Sequence, residues 1–468
     1  MDNIYFVGAG GIGMANLVRY YLNNGAKCAG YDRTESQLTR QLQAEGACLS
    51  YEDTLDAIPE EFRDPARTLV VYTPAVPSDT AIMTYFRDHG FRIIKRAALL
   101  GEITRKERGI CISGSHGKTT TCCMTAWILA QTNEGCNAFL GGILRNTLSN
   151  LMLSDRSDIA VVEADEYDRS FHQLTPWIAV VTSTDPDHLD IYGDEEGYLE
   201  GFRKFTTLIN PGGRLIMHTG LKLKPATRPG VETVTYSGHR AAMQPGSEPE
   251  GDWHAGEIRF EPGRLFFNLH GPEGFRIDDI ELGVPVAINI DNAVAAAAAA
   301  HYAGAGAEAI KAGLASFRGA RRRFEIWMRG DAPEDHGHVL IDDYAHSPKE
   351  VEESIKSVRL LYPERRISVI FQPHLYTRTR DFAPEFAAAL SHADEVIVPE
   401  IYPAREKPIP GVDSNLVLKD IRCEKRYCER KDLLNLIKNT NFDILMTLGA
   451  ADLDRLLPEI KQLLENKG

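Results

Sequence analysis

Residues 111–123 read CISGSHGKTTTCC. The frame Gly114-Ser115-His116-Gly117-Lys118-Thr119-Thr120 offers a turn rich in backbone amides, an ammonium for β- and γ-phosphates, and a hydroxyl for Mg²⁺ at a helix start. The common phosphate loop has a glycine where this chain has Ile112, so the loop here is shorter. It reads as an ATP site. Kinases, motors, switches and ligases all use such a loop, so the reaction must be read elsewhere. A second glycine loop, Gly8-Ala9-Gly10-Gly11-Ile12-Gly13 followed by Met14, matches G-x-G-x-x-G. It lets backbone N–H groups approach a diphosphate at a helix N-terminus. Asp32 lies 19 residues beyond Gly13, where a dinucleotide site carries its ribose acid. Gly10, Gly11, Ile12, Gly13, Met14, Asp32 and Thr73 are the candidates for this second ligand. NAD and a UDP-sugar make the same demand on such a loop.

Single polar residues at strand ends add further chemistry. In VVEADEYDRSF, Glu163 closes an apolar strand, where a hard carboxylate suits Mg²⁺ bridging phosphate oxygens. Asp165, Glu166 and Asp168 read as a helix-capping cluster. In STDPDHLDIYG, His188 follows the next strand, as a second metal or phosphate ligand or a structural histidine. IDDYAHSP places Asp343, Tyr344 and His346 after a third strand, and FQPHLYTRTRD places His374 and Arg378 after a fourth. Loops at strand ends of open α/β sheets are where ligands bind. Arg378 has the fork geometry for a carboxylate.

These loops need α/β units to hold them. NIYFVG, MANLVRYYLNNG and KCAGYD read strand, helix, strand, and alternation continues to residue 107. A second unit starts at RGICISGSHGK, with strands at DIAVVEAD and WIAVVTST. Residues 218–285 are rich in turn residues and short alternating stretches, which predicts a satellite β region. The alanine run after NIDNA predicts a closely packed helix. A third unit begins near RRRFEIWMRG, with helices expected at 348–361 and 382–390. The expected architecture is α/β with three domains. An N-terminal Rossmann-like domain spans 1–107, a central P-loop ATPase-like domain with the satellite β region spans 108–321, and a C-terminal Rossmann-like domain spans 322–468.

Composition narrows the classes. The 468 residues carry 52 basic and 66 acidic side chains, a net charge of −14, which argues against a general nucleic-acid or membrane binder. Eight scattered cysteines without a CxxC pair suggest free thiols in a reducing cytosol. No apolar run approaches the ~18 residues of a membrane span, and MDNIYFVGAGGIGM lacks a basic leader. A cytoplasmic protein without membrane insertion is expected.

Taken in order, GAGGIGM, GSHGKTTT, EADEYDRSF, DPDHLDIY, NIDNA, GARRRFE, DDYAHSP, FQPHLYTRTRD and YPAREKPIPGVDS resemble the Mur ligases, the ATP-dependent amide-forming enzymes of peptidoglycan precursor synthesis. The resemblance covers essentially the whole chain. It implies UDP-N-acetylmuramate as the carboxylate substrate, L-alanine as the amine, ATP and Mg²⁺, and a monomer or weak homodimer. It implies the Gly10–Met14 loop at the UDP diphosphate and Lys118 on the ATP phosphates. Thr119, Glu163 and His188 would serve two metal ions. Asn292 would lie beside adenine, and Arg323 and Asp343 would reach the nucleotide. Tyr344, His374 and Arg378 would lie near the amino acid, with His346 or His374 assisting proton transfer. The chain departs from the family pattern at Ile288, Ser347 and Ala451. The position of a metal-bridging lysine in sister ligases falls on Arg203, beside Lys204. Rival readings are a ligase that recycles a whole tripeptide onto the same sugar nucleotide, an NAD-dependent dehydrogenase, and a nucleotide-binding switch.

Overall fold

The computed structural model describes residues 3–238, 250–404 and 406–467. Part of the β-rich stretch (239–249) and Arg405 of the last motif lie outside the described residues. The chain builds three sheets, each from segments close together in sequence. The first has five parallel strands in the spatial order Cys48–Ser50, Lys27–Tyr31, Asn3–Val7, Thr68–Tyr72 and Arg92–Lys95. All five residues of Asn3–Val7 are buried, as expected of a parallel strand covered on both faces. Helices Ile12–Asn23 and Arg96–Lys106 follow the central and last of these strands. Both therefore start at the carboxyl edge of the sheet.

The central sheet has ten strands. Its middle runs Arg214–His218, Ile178–Val181, Arg108–Ser113, Ile159–Glu163 and Asn137–Leu144, all parallel. Strands Glu232–Ser237, Trp253–Glu261, Arg264–His270 and Arg276–Glu281 form the β-rich stretch expected from the sequence. They are hydrogen-bonded onto the Arg214–His218 edge and so extend this same sheet. The alanine run forms the helix Ile288–Tyr302, with Ala293 and Ala295–Ala300 fully buried. Alanine carries the highest helix propensity, and its small side chains allow close packing against the helix Lys118–Leu129.

The third sheet runs Glu325–Met328, Val339–Asp343, Ile444–Leu448, Ile367–Phe371, Glu395–Val398 and Glu424–Tyr427, with only the first pair antiparallel. The helix Pro348–Leu361 lies where the sequence places it. Ser347 caps it: its hydroxyl accepts from the Glu350 N–H, and Glu350 returns the bond. The next helix spans Tyr376–Leu390, six residues longer than expected at its start. Pro384 lies inside it and Phe382 is non-helical, so the sequence signal breaks where the helix only kinks. All eight cysteines are free. Among the described residues no helix is long and apolar enough to cross a membrane.

Candidate active site

Parallel register brings the phosphate loop and its acids to one edge. Ser113 ends the strand that leads into the loop. It is paired with Val181 on one side, and Ile112 is paired with Glu163 on the other. The loop backbone is pinned from the first side. The His116 N–H donates to Ser183 Oγ at 2.7 Å, and the His116 carbonyl accepts from Thr182 Oγ1 at 2.5 Å. Ser115 Oγ donates to the Asp185 carbonyl at 2.5 Å. The His116 ring is half exposed, with Nε2 3.6 Å from the Asp185 carboxylate.

Lys118 does not project freely. Its Nζ donates to the Gly114 carbonyl at 2.5 Å and to Glu166 Oε1 at 2.7 Å. Glu166 is 1% exposed, and its other oxygen, Oε2, has no hydrogen-bond partner. Burial raises its carboxyl above the ordinary range, with Lys118 pulling the other way. A charged hydrogen bond of this kind contributes about 1.5–3 kcal/mol. The capping expectation for EADEYD therefore fits Asp165, whose side chain accepts the Tyr167 N–H at 3.0 Å, and not Glu166. Asp168 has a third use: it pairs with Lys95 of the first sheet at 2.9 Å. Glu166 was hidden because its partner lies 48 residues away.

Glu163 sits deeper. Burial raises its carboxyl, opposed by Lys118 and by a hydrogen bond from Thr119. Its Oε2 is buried without a hydrogen-bond partner. Gly141 on the neighbouring strand is the reason it fits: a Cβ there would overlap the carboxylate. Thr119 and Glu163 thus offer two hard oxygen donors beside the phosphate loop. That donor set fits Mg²⁺, which takes one or two protein oxygens and completes its shell with phosphates and water. Among the described residues no group of three or more His, Cys, Asp or Glu gathers as a metal site. His188 accordingly stands outside any such cluster. Its backbone is left-handed, its ring lies edge-on to Tyr167 at 5.1 Å, and its Nε2 is 3.7 Å from Asp187. Arg203 and Lys204 are both solvent-exposed on the helix Glu195–Thr206.

Asn292 is buried at 6% exposure. Its Oδ1 accepts from Thr121 of the phosphate-loop helix at 3.1 Å, and its Nδ2 donates to Asn289 at 3.0 Å. Its present partners are therefore the helix that carries Lys118 and its own helix. Ile288, one turn earlier, is exposed.

The linker and third sheet form a second cluster. Arg322 and Arg323 both place their guanidinium over the Tyr344 ring, at 5.0 and 5.2 Å. Arg323's charge also reaches Glu163 and Asp343. Burial raises the Asp343 carboxyl, opposed by the Arg323 charge and the Phe324 backbone. His346 is pushed below its ordinary range by burial, with Glu350 opposing and Arg378 adding to the shift. Burial thus favours its neutral form. His374 stacks on Tyr402 at 5.9 Å, and Leu375 after it has a φ of 70°. Lys349 reaches back to Asp185, beside the phosphate loop, at 3.4 Å.

The glycine loop faces the same centre from the first sheet. Asp32 Oδ2 accepts the Gly10 N–H at 2.7 Å and Oδ1 accepts the Thr34 N–H at 3.2 Å. Its first partners are thus the backbone that shapes the loop. A cavity of about 300 Å³ is lined by Gly8, Gly11, Ile12, Gly13, Met14 and Thr73 and also by Gly141, Glu163 and Asp165. It joins the candidate diphosphate loop to the candidate metal carboxylate. Arg96 lines it as well, a residue with no motif to mark it in the sequence.

An open α/β sheet with a phosphate loop, a cavity running from a second glycine loop to the carboxylate beside that phosphate loop, and a third α/β sheet together define a nucleotide-dependent enzyme of several ligands. Three family models match the chain: the Mur ligase family catalytic domain over residues 3–108, the Mur ligase middle domain over 112–300, and the Mur ligase glutamate ligase domain over 322–450. The chain belongs to the Mur ligase family. It is 52% identical to the UDP-N-acetylmuramate–L-alanine ligase of Phocaeicola vulgatus, over 100% of this chain and 99% of that one. It is 51% identical to the enzyme of the same name from Parabacteroides distasonis, over 98% and 97%. Among solved structures, the UDP-N-acetylmuramate-alanine ligase of Thermotoga maritima aligns at a TM-score of 0.77 and 26% identity, over 99% of this chain and 98% of that one. A murein peptide ligase from Psychrobacter arcticus shares the fold, at a TM-score of 0.64 and 19% identity over the whole of both chains.

Proposed function

We propose that this chain joins L-alanine to UDP-N-acetylmuramate at the expense of ATP, releasing ADP and phosphate, as a cytoplasmic step of peptidoglycan precursor synthesis. The observation that carries the reading is the cavity running from the glycine loop to Glu163. A sugar nucleotide seated in it with its diphosphate at the glycine loop would have its carboxylate toward Glu163, beside the proposed ATP loop. Residues 1–107 would hold the UDP portion, 108–321 the ATP, and 322–468 the amino acid.

A carboxylate is a poor acyl donor because oxide is a poor leaving group. Its oxygen attacks the γ-phosphorus, ADP leaves, and an acyl phosphate forms. The alanine nitrogen then attacks the acyl carbon, and phosphate departs. Mg²⁺ bound at Thr119 and Glu163 would neutralise phosphate charge when present. Lys118 exchanges Glu166 for phosphate oxygens and stabilises charge that grows during transfer. Amides of the 114–120 loop hold the phosphates. Asn292 keeps the helix under that loop in place, and Arg323 carries positive charge from the linker toward Glu163. Arg378 takes the alanine carboxylate and so presents its nitrogen. His346, whose neutral form burial favours, accepts a proton from the amine, while Tyr344 and His374 border the amino-acid site. Asp343 faces the linker through the Arg323 charge and the Phe324 backbone.

The proposal is tested by ADP release in the presence of UDP-N-acetylmuramate with L-alanine or with the L-alanyl-γ-D-glutamyl tripeptide as the amine. Turnover with L-alanine and none with the tripeptide is expected. The reverse preference would transfer the chain to peptide recycling.

A further inference from the structure

The first sheet has three neighbouring parallel strands, Asn3–Val7, Thr68–Tyr72 and Arg92–Lys95. Each releases one feature at the same carboxyl edge: the glycine loop after the first, Thr73 after the second, and Arg96 after the third. Arg96 opens the helix Arg96–Lys106, so its side chain starts at a helix N-terminus. All three features line the 300 Å³ cavity. Arg96 also explains one glycine of the loop: a Cβ on Gly13 would stand 2.6 Å from Arg96 Nη1.

The neighbours of Arg96 are paired, and it is not. Lys95 is bonded to Asp168, and Arg92 to Glu102. Among the described residues Arg96 has no ion-pair partner. A half-buried guanidinium that faces a cavity over a row of loop amides is a site for an anion with oxygens on more than one side.

We propose that Arg96 grips the diphosphate of the nucleotide-linked substrate from the side opposite the Gly11–Met14 amides. This inference rests on the sugar-nucleotide reading of the same cavity given above. The loop alone offers N–H dipoles and a helix end. Among the described residues that line the cavity, Arg96 is the one basic side chain, and Glu163 and Asp165 are the acidic ones. Arg96 thereby fixes the substrate end that does not react, so that the carboxylate end reaches Glu163.

The test compares the full-length wild type with Arg96→Ala and Arg96→Lys. KM for UDP-N-acetylmuramate, KM for ATP, and the inhibition constant of UDP, which has the diphosphate but no sugar or carboxylate, are measured at one ionic strength. Arg96→Ala should raise the first and third together by on the order of tenfold or more, and leave the ATP value within about twofold. Arg96→Lys should recover part of both, since it restores the charge without the fork. Unchanged values in both variants overturn the inference. A rise for the sugar nucleotide without a rise for UDP also overturns it, because the guanidinium would then be serving the carboxylate. If Arg96→Ala does not fold, the lysine variant decides by the same two ratios. A wild type whose ADP release ignores UDP-N-acetylmuramate instead removes the function proposed above, and so separates the two failures.

Discussion

The chain contains two strand–glycine loop–helix turns that solve one backbone problem in different ways. In the loop at Gly8–Met14 the acid from a neighbouring strand, Asp32, binds the backbone itself at the Gly10 N–H. In the loop at Gly114–Thr120 the acid from a neighbouring segment, Glu166, binds a side chain, the Lys118 ammonium. The first arrangement stiffens a loop whose own contribution is amide dipoles. The second holds a mobile charge in reserve, in a setting where Lys118 is 14% and Glu166 1% exposed. Rigid amides suit recognition of a group that does not react. A charge that can change partners suits a phosphoryl group that moves.

Substitutions that break one loop should leave the other intact. The largest effect belongs to Lys118→Ala, which should lower turnover by on the order of 10²-fold or more, while calorimetry shows unchanged UDP-N-acetylmuramate affinity. Next is Gly141→Ala, whose Cβ would displace the Glu163 carboxylate. A roughly tenfold or greater fall in kcat is expected, with little change in melting temperature. Asp32→Ala removes the acceptor for Gly10. It should raise KM for the sugar nucleotide several-fold and spare the ATP value, in steady-state assays with each substrate varied. Glu166→Gln should have the mildest consequence. Losing a charged hydrogen bond of about 1.5–3 kcal/mol should lower the melting temperature of the ligand-free protein by a few degrees, a deficit that an ATP analogue reduces because phosphate oxygens replace Glu166.

The same contrast explains what could be read from sequence. Glycine spacing, flanking apolar strands and the ends of those strands are local, so both loops, Glu163, the order of the sheets and the Pro348–Leu361 helix were legible. The residues that finish each site are not local. Glu166 reads as one more acid in a capping cluster until the fold brings it to Lys118. Gly141 looks like an ordinary strand glycine until Glu163 is seen against it. Arg96 carries no motif and becomes visible only when three strands align their ends. Asp32 reads in the sequence as a ribose acid for the ligand of the first loop, and its bond to the loop's own backbone has no local signal. His116, conspicuous in the sequence, is held mainly through its backbone, with its ring directed toward Asp185.

In the proposed reaction a carboxylate held from the first loop, along the cavity that reaches Glu163, is phosphorylated at the second. The most direct measurement uses UDP-N-acetylmuramate labelled with ¹⁸O in its carboxylate, with unlabelled ATP and L-alanine, and analyses the released phosphate by mass spectrometry. One labelled oxygen in each phosphate is the expected result, since the acyl–oxygen bond is the one broken when the amine attacks. Phosphate released without label during amide formation would contradict the account.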